Sequence, residues 1–355
     1  MDSQLLNPTN PRWLEALSHL RHDFYHLPAY VALEAAQQGA MPEAILLQQG
    51  DRTFFLPYLL RSCSDLFGDE VVADCFDAVS PYGYPGILLS HAAREDSSFI
   101  QEALTCLMQT FASRGICSVF LRLHPILNQG LVDQVASESC RLHSETIAVD
   151  LTLSEAEIWH QTRPEHRNKI NKGKRAGLGA AVVPIQSHLQ DFARIYRETM
   201  DRVGASSFYY FTDEYFTHLA HALKDTLVLC VVKQGDAIAC AGLFTECCGI
   251  VQYHLGGTTA QYLKRSPNVL MFDYIRYWAK ARGNTVLHLG GGVGGKQDSL
   301  HHFKAGFSKQ RYHFPVMRLV TDPDLYHTLV QMRAKVTHQS VHQLLQTQFF
   351  PAYRG

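Results

Sequence analysis

The stretch LHLGGGVGGKQDSLHHFKAGF, Leu287–Phe307, contains a strand, a turn and a helix in sequence. Thr285-Val286-Leu287-His288-Leu289 reads as a short buried strand. Gly290, Gly291, Gly292, Gly294 and Gly295 follow within six residues, and a helix opens at Asp298-Ser299 and carries Phe303-Lys304. Glycines between a strand and a helix let backbone N–H groups approach an anion or carbonyl without Cβ interference. A lysine one to two turns into that helix can meet the same charge, so the functional site is expected here. Gly290–Lys296 also fits G-x-x-x-x-G-K, the start of a phosphate-binding P-loop. Position eight is Gln297, so the hydroxyl that would hold Mg²⁺ is missing. About sixty residues follow, too few for the remaining strands and metal-binding Asp of a nucleotide hydrolase. A glycine turn that merely connects strand to helix is the plainer alternative.

Working outward, the chain divides into two α/β halves of similar order: helices, an antiparallel meander, then helix and strand. The first half reads as a helical stretch over Trp13–Gln38, strands Ala44–Gln48 and Thr53–Leu60 joined at Gly50-Asp51, and a Pro/Gly/Tyr loop, Ser80–Gly86. A helix over Asp96–Ser113 and strands Ser118–Leu123 and Thr146–Leu151 complete it. The second half has helices at Leu189–Val203 and Asp213–Leu223 and strands at Leu227–Val232, Ala237–Glu246 and Gly249–Leu255. The helix Asn268–Arg282 then leads to the glycine loop. The expected division is 1–152 and 153–330 for the lobes, with 331–355 a helical tail. The cleft between the lobes is the default ligand site.

With 46% hydrophobic and 18% charged residues, the composition is that of an ordinary globular chain of 355 residues. A net charge of −1 gives no global attraction to nucleic acid or membrane, so a basic site must be local, and no DNA partner is expected. The start Met-Asp-Ser-Gln lacks the features of a signal peptide, and no apolar run reaches a membrane span. Nine scattered cysteines without a C-x-x-C pair point to reduced thiols and no structural zinc. The 19 histidines show no H-E-x-x-H spacing. The expectation is a cytoplasmic protein without a transmembrane segment or a metal.

The local basic site is RPEHRNKINKGKRAG, Arg163–Gly177. Ser154 and Glu157 form a capping box before it, Pro164 suits a first helical turn and Gly177 an end. Arg163, Arg167, Lys169, Lys172, Lys174 and Arg175 stand against a single acid, Glu165. At about 100° per residue the charges surround the helix and leave Ile170 as its apolar anchor. The segment is either a solvated linker or a site for phosphate, diphosphate or RNA backbone.

Three segments together resemble a known family. Arg163–Leu178 is similar to the R-x-x-x-R-N-x-I-x-K-x-x-x-x-G signature of Fem-type proteins, the peptidoglycan-bridge aminoacyltransferases and their relatives in the GNAT acyltransferase superfamily. Tyr253-His254-Leu255-Gly256-Gly257 resembles the central strand before the donor-binding loop. Gly290-Gly291-Gly292 with Asp298-Ser299-Leu300 and Phe303–Phe307 is similar to the C-terminal signature. The resemblance, over residues 20–330, implies an α/β (α+β) fold of two tandem GNAT-like lobes, each a mixed, mostly antiparallel sheet flanked by helices. It implies an acyl- or aminoacyl-transferase that forms an amide on an amine of a small-molecule or cell-envelope precursor, such as one for peptidoglycan.

Phe303 and Lys304 would lie at the reaction centre, with Lys304 stabilising negative charge on the carbonyl or leaving oxygen. Arg167, Lys169, Lys172, Tyr253, Gly291, Gly292 and Asp298 would bind substrate, Asp298 being as readily a helix cap. Lys264 and Arg265 would meet a donor phosphate at the next helix N-terminus. No tightly bound cofactor is implied; the donor is acyl-CoA or aminoacyl-tRNA. The chain departs from the pattern twice. The coiled-coil arm of some bridge-forming enzymes is absent, which bears on tRNA binding, and so is the R/Q-x-x-G-x-G/A pyrophosphate loop. The competing reading is a non-catalytic module that binds a phosphorylated ligand.

Overall fold

The computed structural model describes residues 1–67, 75–135, 139–347 and 349–355. In chain order the elements begin β1 (Asp2–Leu6), α1 (Pro11–His19), α2 (Pro28–Gln38), β2 (Met41–Gln49), β3 (Arg52–Ser62), β4 (Phe76–Val79), β5 (Leu88–Leu89), α3 (His91–Arg94), α4 (Ser97–Ser113) and β6 (Ile116–Arg122). β7 (Cys140–Asp150), α5 (Glu155–Gln161), α6 (Pro164–Arg175), β8 (Gly179–Val183), α7 (Ile185–Val203), α8 (Asp213–Leu223), β9 (Leu227–Gln234), β10 (Ala237–Cys247) and β11 (Ile250–Thr258) follow. The chain continues through α9 (Pro267–Ala281), β12 (Val286–Gly290), α10 (Ser299–Lys304), β13 (Arg311–Val320), α11 (Pro323–Thr337) and α12 (Val341–Gln346).

Contacts group the chain into two units, Met1–His143 with His313–Gly355, and Ser144–Tyr312. The sequence suggested breaks at 152 and 330 instead. Residues 313–355 fall in the first unit because Val316–Val320 of β13 pair antiparallel with Ser118–Arg122 of β6. α11 and the turn Ala352–Arg354 then pack their Leu329, Val330 and Tyr353 against Cys63 and Cys117.

In the first unit the strand order is β1-β2-β3-β4-β6-β13, with β5 on β3. α4 buries Phe99, Ala103, Leu107 and Phe111 on one face, the helical spacing expected of a surface helix. Its start is fixed by Asp96, whose carboxylate accepts from the N–H groups of Ser98 and Phe99. The helical stretch expected over Trp13–Gln38 is two helices, not one. Asp23 and His26 cap a short turn between them, and Pro28 starts α2, because a proline ring fits the first helical turn and not an interior one.

In the second unit the order is β7-β12-β11-β10-β9-β8. All neighbours are antiparallel except β11 and β12, which pair in parallel at Ile250–Gln252 against Val286–His288. The connection between those two strands is α9, the crossover that a parallel pair requires. Its Val269, Phe272, Ile275 and Ala279 pack on the sheet. The sequence expectation of mixed, mostly antiparallel sheets flanked by helices is met in both units.

Arg276 of α9 is fully buried. Its guanidinium pairs with Asp273, donates to the Thr162 hydroxyl at 2.6 Å and lies 4.9 Å from the Tyr277 ring centre. Asp273 also accepts from Lys174 of α6 at 3.0 Å, which ties the basic helix to α9. A buried cation left without its carboxylate is costly, whereas an exposed partner contributes little. Asp273→Ala should therefore lower the unfolding free energy by about 3–5 kcal/mol in a denaturant titration. Lys174→Met, at a mostly exposed lysine, should cost less than about 1 kcal/mol.

Candidate active site

The parallel register of β11 and β12 stops at Gln252 and His288, and Gly290 pairs instead with Ile147 of β7. β11 runs on through Thr258 alongside β10, where the register slips between Leu243↔Leu255 and Phe244↔Tyr253. His254 is the extra residue of this bulge, a device that re-aims neighbouring side chains. The strands thus separate at the end where Tyr253 and the glycine loop lie.

Gly291 and Gly292 are close-approach positions. A Cβ at Gly292 would stand 2.0 Å from the Lys296 carbonyl oxygen, and one at Gly291 would be 2.9 Å from the Glu145 carbonyl. Asp298 closes the loop. One carboxylate oxygen accepts from the Val293 N–H at 3.0 Å and the other from the His301 N–H at 2.9 Å, which caps α10. Partial burial opposes ionisation of Asp298. The N–H groups of His301, Val293 and Leu300 and the charge of Lys304 outweigh it and hold the carboxyl below its usual range. Both oxygens are committed to structure, so Asp298 orders the loop as a cap.

Lys304 is buried rather than a surface lysine. Its Nζ donates to the Gly291 carbonyl at 2.7 Å and lies 5.6 Å from the centre of the Tyr253 ring. Burial lowers its pKa to about 7, with Asp298 opposing the shift. An amine at the midpoint of its titration near neutral pH can donate as an ammonium or accept as a free base. Burial also pushes the Tyr253 phenol up, so it stays protonated.

Phe303 faces the core, its ring 5.7 Å from Phe272 and 5.5 Å from Phe307. The His166 ring of α6 lies 5.3 Å from it, tilted by 38°, and meets the Phe303 carbonyl through Nε2 at 2.9 Å. Burial lowers the His166 pKa, so the ring is neutral and donates to that carbonyl. The Arg163 N–H reaches the Gly306 carbonyl at 2.8 Å, and a Cβ on Gly306 would strike the His166 ring at 2.5 Å. The start of the basic helix is therefore docked onto the Phe-Lys helix. Two motifs whose contacting residues His166 and Phe303 stand 137 positions apart form one structural unit, in which Phe303 packs against aromatic rings.

The remaining basic residues spread outward. Ile170 is the buried anchor of α6, as its isolation in the sequence suggested, with His166 and Gly173 buried beside it. Arg167 is half-buried, and Lys169 and Lys172 are exposed. Lys264 and Arg265 are exposed at the end of the short turn before α9, and Arg265 contacts Gln234 and the Tyr262 ring. Neither Lys304 nor Asp298 belongs to a cluster of three ligating side chains among the described residues. A pocket of about 350 Å³ lies between α6, β8 and α9, lined by Lys174, Leu178, Tyr274, Tyr277 and Trp278.

Sequence reading found the strand Thr146–Leu151 but passed over the residues beside it that hold the loop. Ser144 donates to the Gly295 carbonyl, and Glu145 pairs with His301 at 2.9 Å and with Arg311 at 3.7 Å. His288 is buried, bonded through Nε2 to Thr146 Oγ1 at 2.8 Å and through Nδ1 to Gln252 Oε1 at 2.5 Å. The available signal was a polar run, Ser144-Glu145-Thr146, entering an apolar strand, and a histidine inside another.

Comparison with known proteins bears on the fold that carries this geometry. Residues 160–304 match the family described as an acetyltransferase (GNAT) domain. A search of curated protein sequences returned no match. Among solved structures, the chain is similar to FemX with a TM-score of 0.69 at 11% identity, covering 92% of this chain and 99% of that one. It is similar to the C-terminal domain of a putative lysylphosphatidylglycerol synthetase from Agrobacterium fabrum (TM-score 0.53, 14% identity, 86% and 90% covered). A tandem GNAT protein from the clavulanic acid pathway also matches (TM-score 0.50, 8% identity, 91% and 99% covered). These identities speak for the fold alone, and the expected mixed, mostly antiparallel sheet flanked by helices is the fold they share. No described helix is long and apolar enough to cross a membrane.

The lowered pKa of Lys304 fixes the sign of a stability test. The unfolded chain keeps this lysine protonated up to about 10.5 while the folded chain releases the proton near 7, so folding gains stability as pH rises between those values. Lys304→Met removes that penalty and forfeits one hydrogen bond to Gly291. The variant should be about 1–3 kcal/mol more stable than the parent at pH 7, the net of the two effects. The difference should shrink, then reverse, as the pH approaches 10 in parallel urea titrations.

Proposed function

We propose that this chain, whose residues 160–304 form a GNAT domain, is an N-acyltransferase that joins an acyl or aminoacyl group to the amine of a cell-envelope precursor. The observation that carries this reading is the buried Lys304 amine, held on the Gly291 carbonyl beside Tyr253 where β11 and β12 separate. In the reaction an activated acyl donor R–CO–X and an amine H₂N–R′ give the amide R–CO–NH–R′ and HX. The tetrahedral intermediate carries an oxyanion, which a fixed ammonium in a dry site stabilises without reorganising. As X departs, the same ammonium can supply its proton, and the attacking amine loses a proton to water or to the substrate.

The acceptor class is supported by the resemblance of Arg163–Leu178 to the Fem-type signature and by the likeness in fold to FemX and to the C-terminal domain of a putative lysylphosphatidylglycerol synthetase. The exposed Lys169 and Lys172, with half-buried Arg167, suit phosphate groups on such a precursor or on the donor. Lys264 and Arg265, beside the N-terminus of α9, are the donor-side cations in this reading. The donor is a CoA thioester or a charged tRNA ester, and the reaction takes place in the cytoplasm.

Activity should report on Lys304 directly. The cation role gives kcat/KM an alkaline limb near pH 7, where the ammonium is lost. Lys304→Arg, which stays protonated, should keep part of the activity and lose that limb, whereas Lys304→Met should lower kcat by about 10²–10³-fold. An acidic limb near 7 with an inactive arginine variant would assign a base instead. Unchanged transfer in Lys304→Met would contradict the proposal. Full retention of ligand binding by that variant, with no turnover in the parent either, is the result expected of a non-catalytic module. Calorimetry with CoA, acetyl-CoA and charged tRNA selects the donor: binding of CoA places the chain on the thioester branch, and binding of charged tRNA alone places it on the ester branch. Arg167→Ala and Lys172→Ala should each weaken that binding, more at low salt than at high.

A further inference from the structure

Outside the GNAT domain, the first unit gathers three cysteines that lie far apart in the sequence. Cys63 follows the end of β3, Cys75 precedes β4, and the Cys63 N–H donates to the Cys75 carbonyl at 2.9 Å. Cys117 sits in β6 where the register slips between Phe76↔Ile116 and Asp77↔Ser118, and this turns it toward the same point. The three sulfur atoms lie within 4.8 Å of one another, and all three residues are buried.

We propose that Cys63, Cys75 and Cys117 form a closed binding site for a soft divalent cation of the zinc class. Zn–S bonds of about 2.3 Å place sulfurs roughly 3.8–4.0 Å apart in tetrahedral or trigonal sites. The thiols therefore need to close by less than about 1 Å. Binding releases the thiol protons, and a divalent ion with three thiolates has a charge of −1. The surroundings supply the complement. Arg61 and Arg354 both pair with the single carboxylate of Asp77, leaving one positive charge in excess, and the Arg354 Nη2 lies 3.9 Å from Cys63 Sγ.

An oxygen is at hand for a fourth position. The Tyr353 hydroxyl is 3.1 Å from Cys117 Sγ, 2.7 Å from Ser118 Oγ and 3.2 Å from Asp77 Oδ2. Tyr353, Ala352, Leu329, Val330 and Leu344 cover the cluster with apolar surface. A closed, thiolate-rich, dry site suits a structural ion rather than a catalytic one, and it would fasten the segment 351–355 to β4 and β6. The spacing of 63, 75 and 117 has no C-x-x-C signal because the site is assembled by strand pairing.

The test uses the full chain, reduced and stripped with chelator, titrated with Zn(II) and with Cd(II) as an optical probe. One equivalent of Cd(II) should bring a thiolate-to-metal absorption band. Bound Zn(II) should protect Cys63, Cys75 and Cys117 from alkylation, as read by peptide mass spectrometry, and should raise the unfolding temperature. Cys117→Ser should bind at least a hundredfold more weakly and Cys75→Ala should behave alike, while Cys240→Ala and Cys248→Ser keep the parent affinity. Circular dichroism of the unbound variants checks that they fold. No charge-transfer band in the parent would overturn the proposal. So would an unaltered band in the folded Cys117 and Cys75 variants, or protection mapped to other cysteines. Acyl transfer is not part of the readout, so this outcome is independent of the function proposed above.

Discussion

The bond from Lys304 to the Gly291 carbonyl is the constraint around which the candidate site is built. It places a titrating amine inside the protein, against an acceptor that can hold either the ammonium or the neutral amine. Everything nearby serves to keep that geometry. Asp298 caps α10 and closes the loop, Ser144 holds the loop and Glu145 holds α10 from β7, and His166 and Phe272 pack against Phe303 beside Lys304. An amine fixed this way needs no reorganisation when charge develops beside it, which is the condition for strong electrostatic stabilisation.

The fold supplies the opening in which that amine works. A parallel pair inside an otherwise antiparallel sheet must be linked by a crossover helix, here α9. Pairing over only Ile250–Gln252 against Val286–His288 lets the strands part beyond it. The bulge at His254 on one side and the glycine loop on the other then bring Tyr253 and Gly291 to Lys304. Close approach dictates the glycines: Gly292 and Gly306 sit where a Cβ would strike Lys296 and His166. Burial of Arg276 with Asp273 and Thr162 anchors α9, and through Lys174 the basic helix, to the same unit.

Much of this was legible where local chemistry dominates. The capping box at Ser154 and Glu157 and the hairpin of β2 and β3 follow from short-range patterns. So do the helices α8 and α9, and the structure has them within a residue of expectation. The break between α1 and α2 was missed although Pro28 announced it, because the surrounding residues favour helix on both sides. The burial of Lys304 was not legible, since a lysine after a phenylalanine on a short helix reads equally as surface. Only the placement of β7 and Tyr253 around it decides. The roles of Ser144, Glu145 and His288, and the meeting of Cys63, Cys75 and Cys117, depend on strand pairing across many residues, which leaves no spacing to read. The surroundings of Phe303 and Asp298 are visible only in three dimensions: a ring packed among aromatics, and a carboxylate that accepts a backbone N–H with each oxygen.

The most direct test of the central claim is the titration of Lys304 itself, followed by NMR of the side-chain carbon next to its amine in selectively labelled protein. The Lys304→Met variant identifies the signal. The account predicts a midpoint near pH 7, shifted by burial from the ordinary lysine value. A midpoint near 10.5 would mean that the amine is solvated, and would contradict both the buried bond to Gly291 and the role proposed for it.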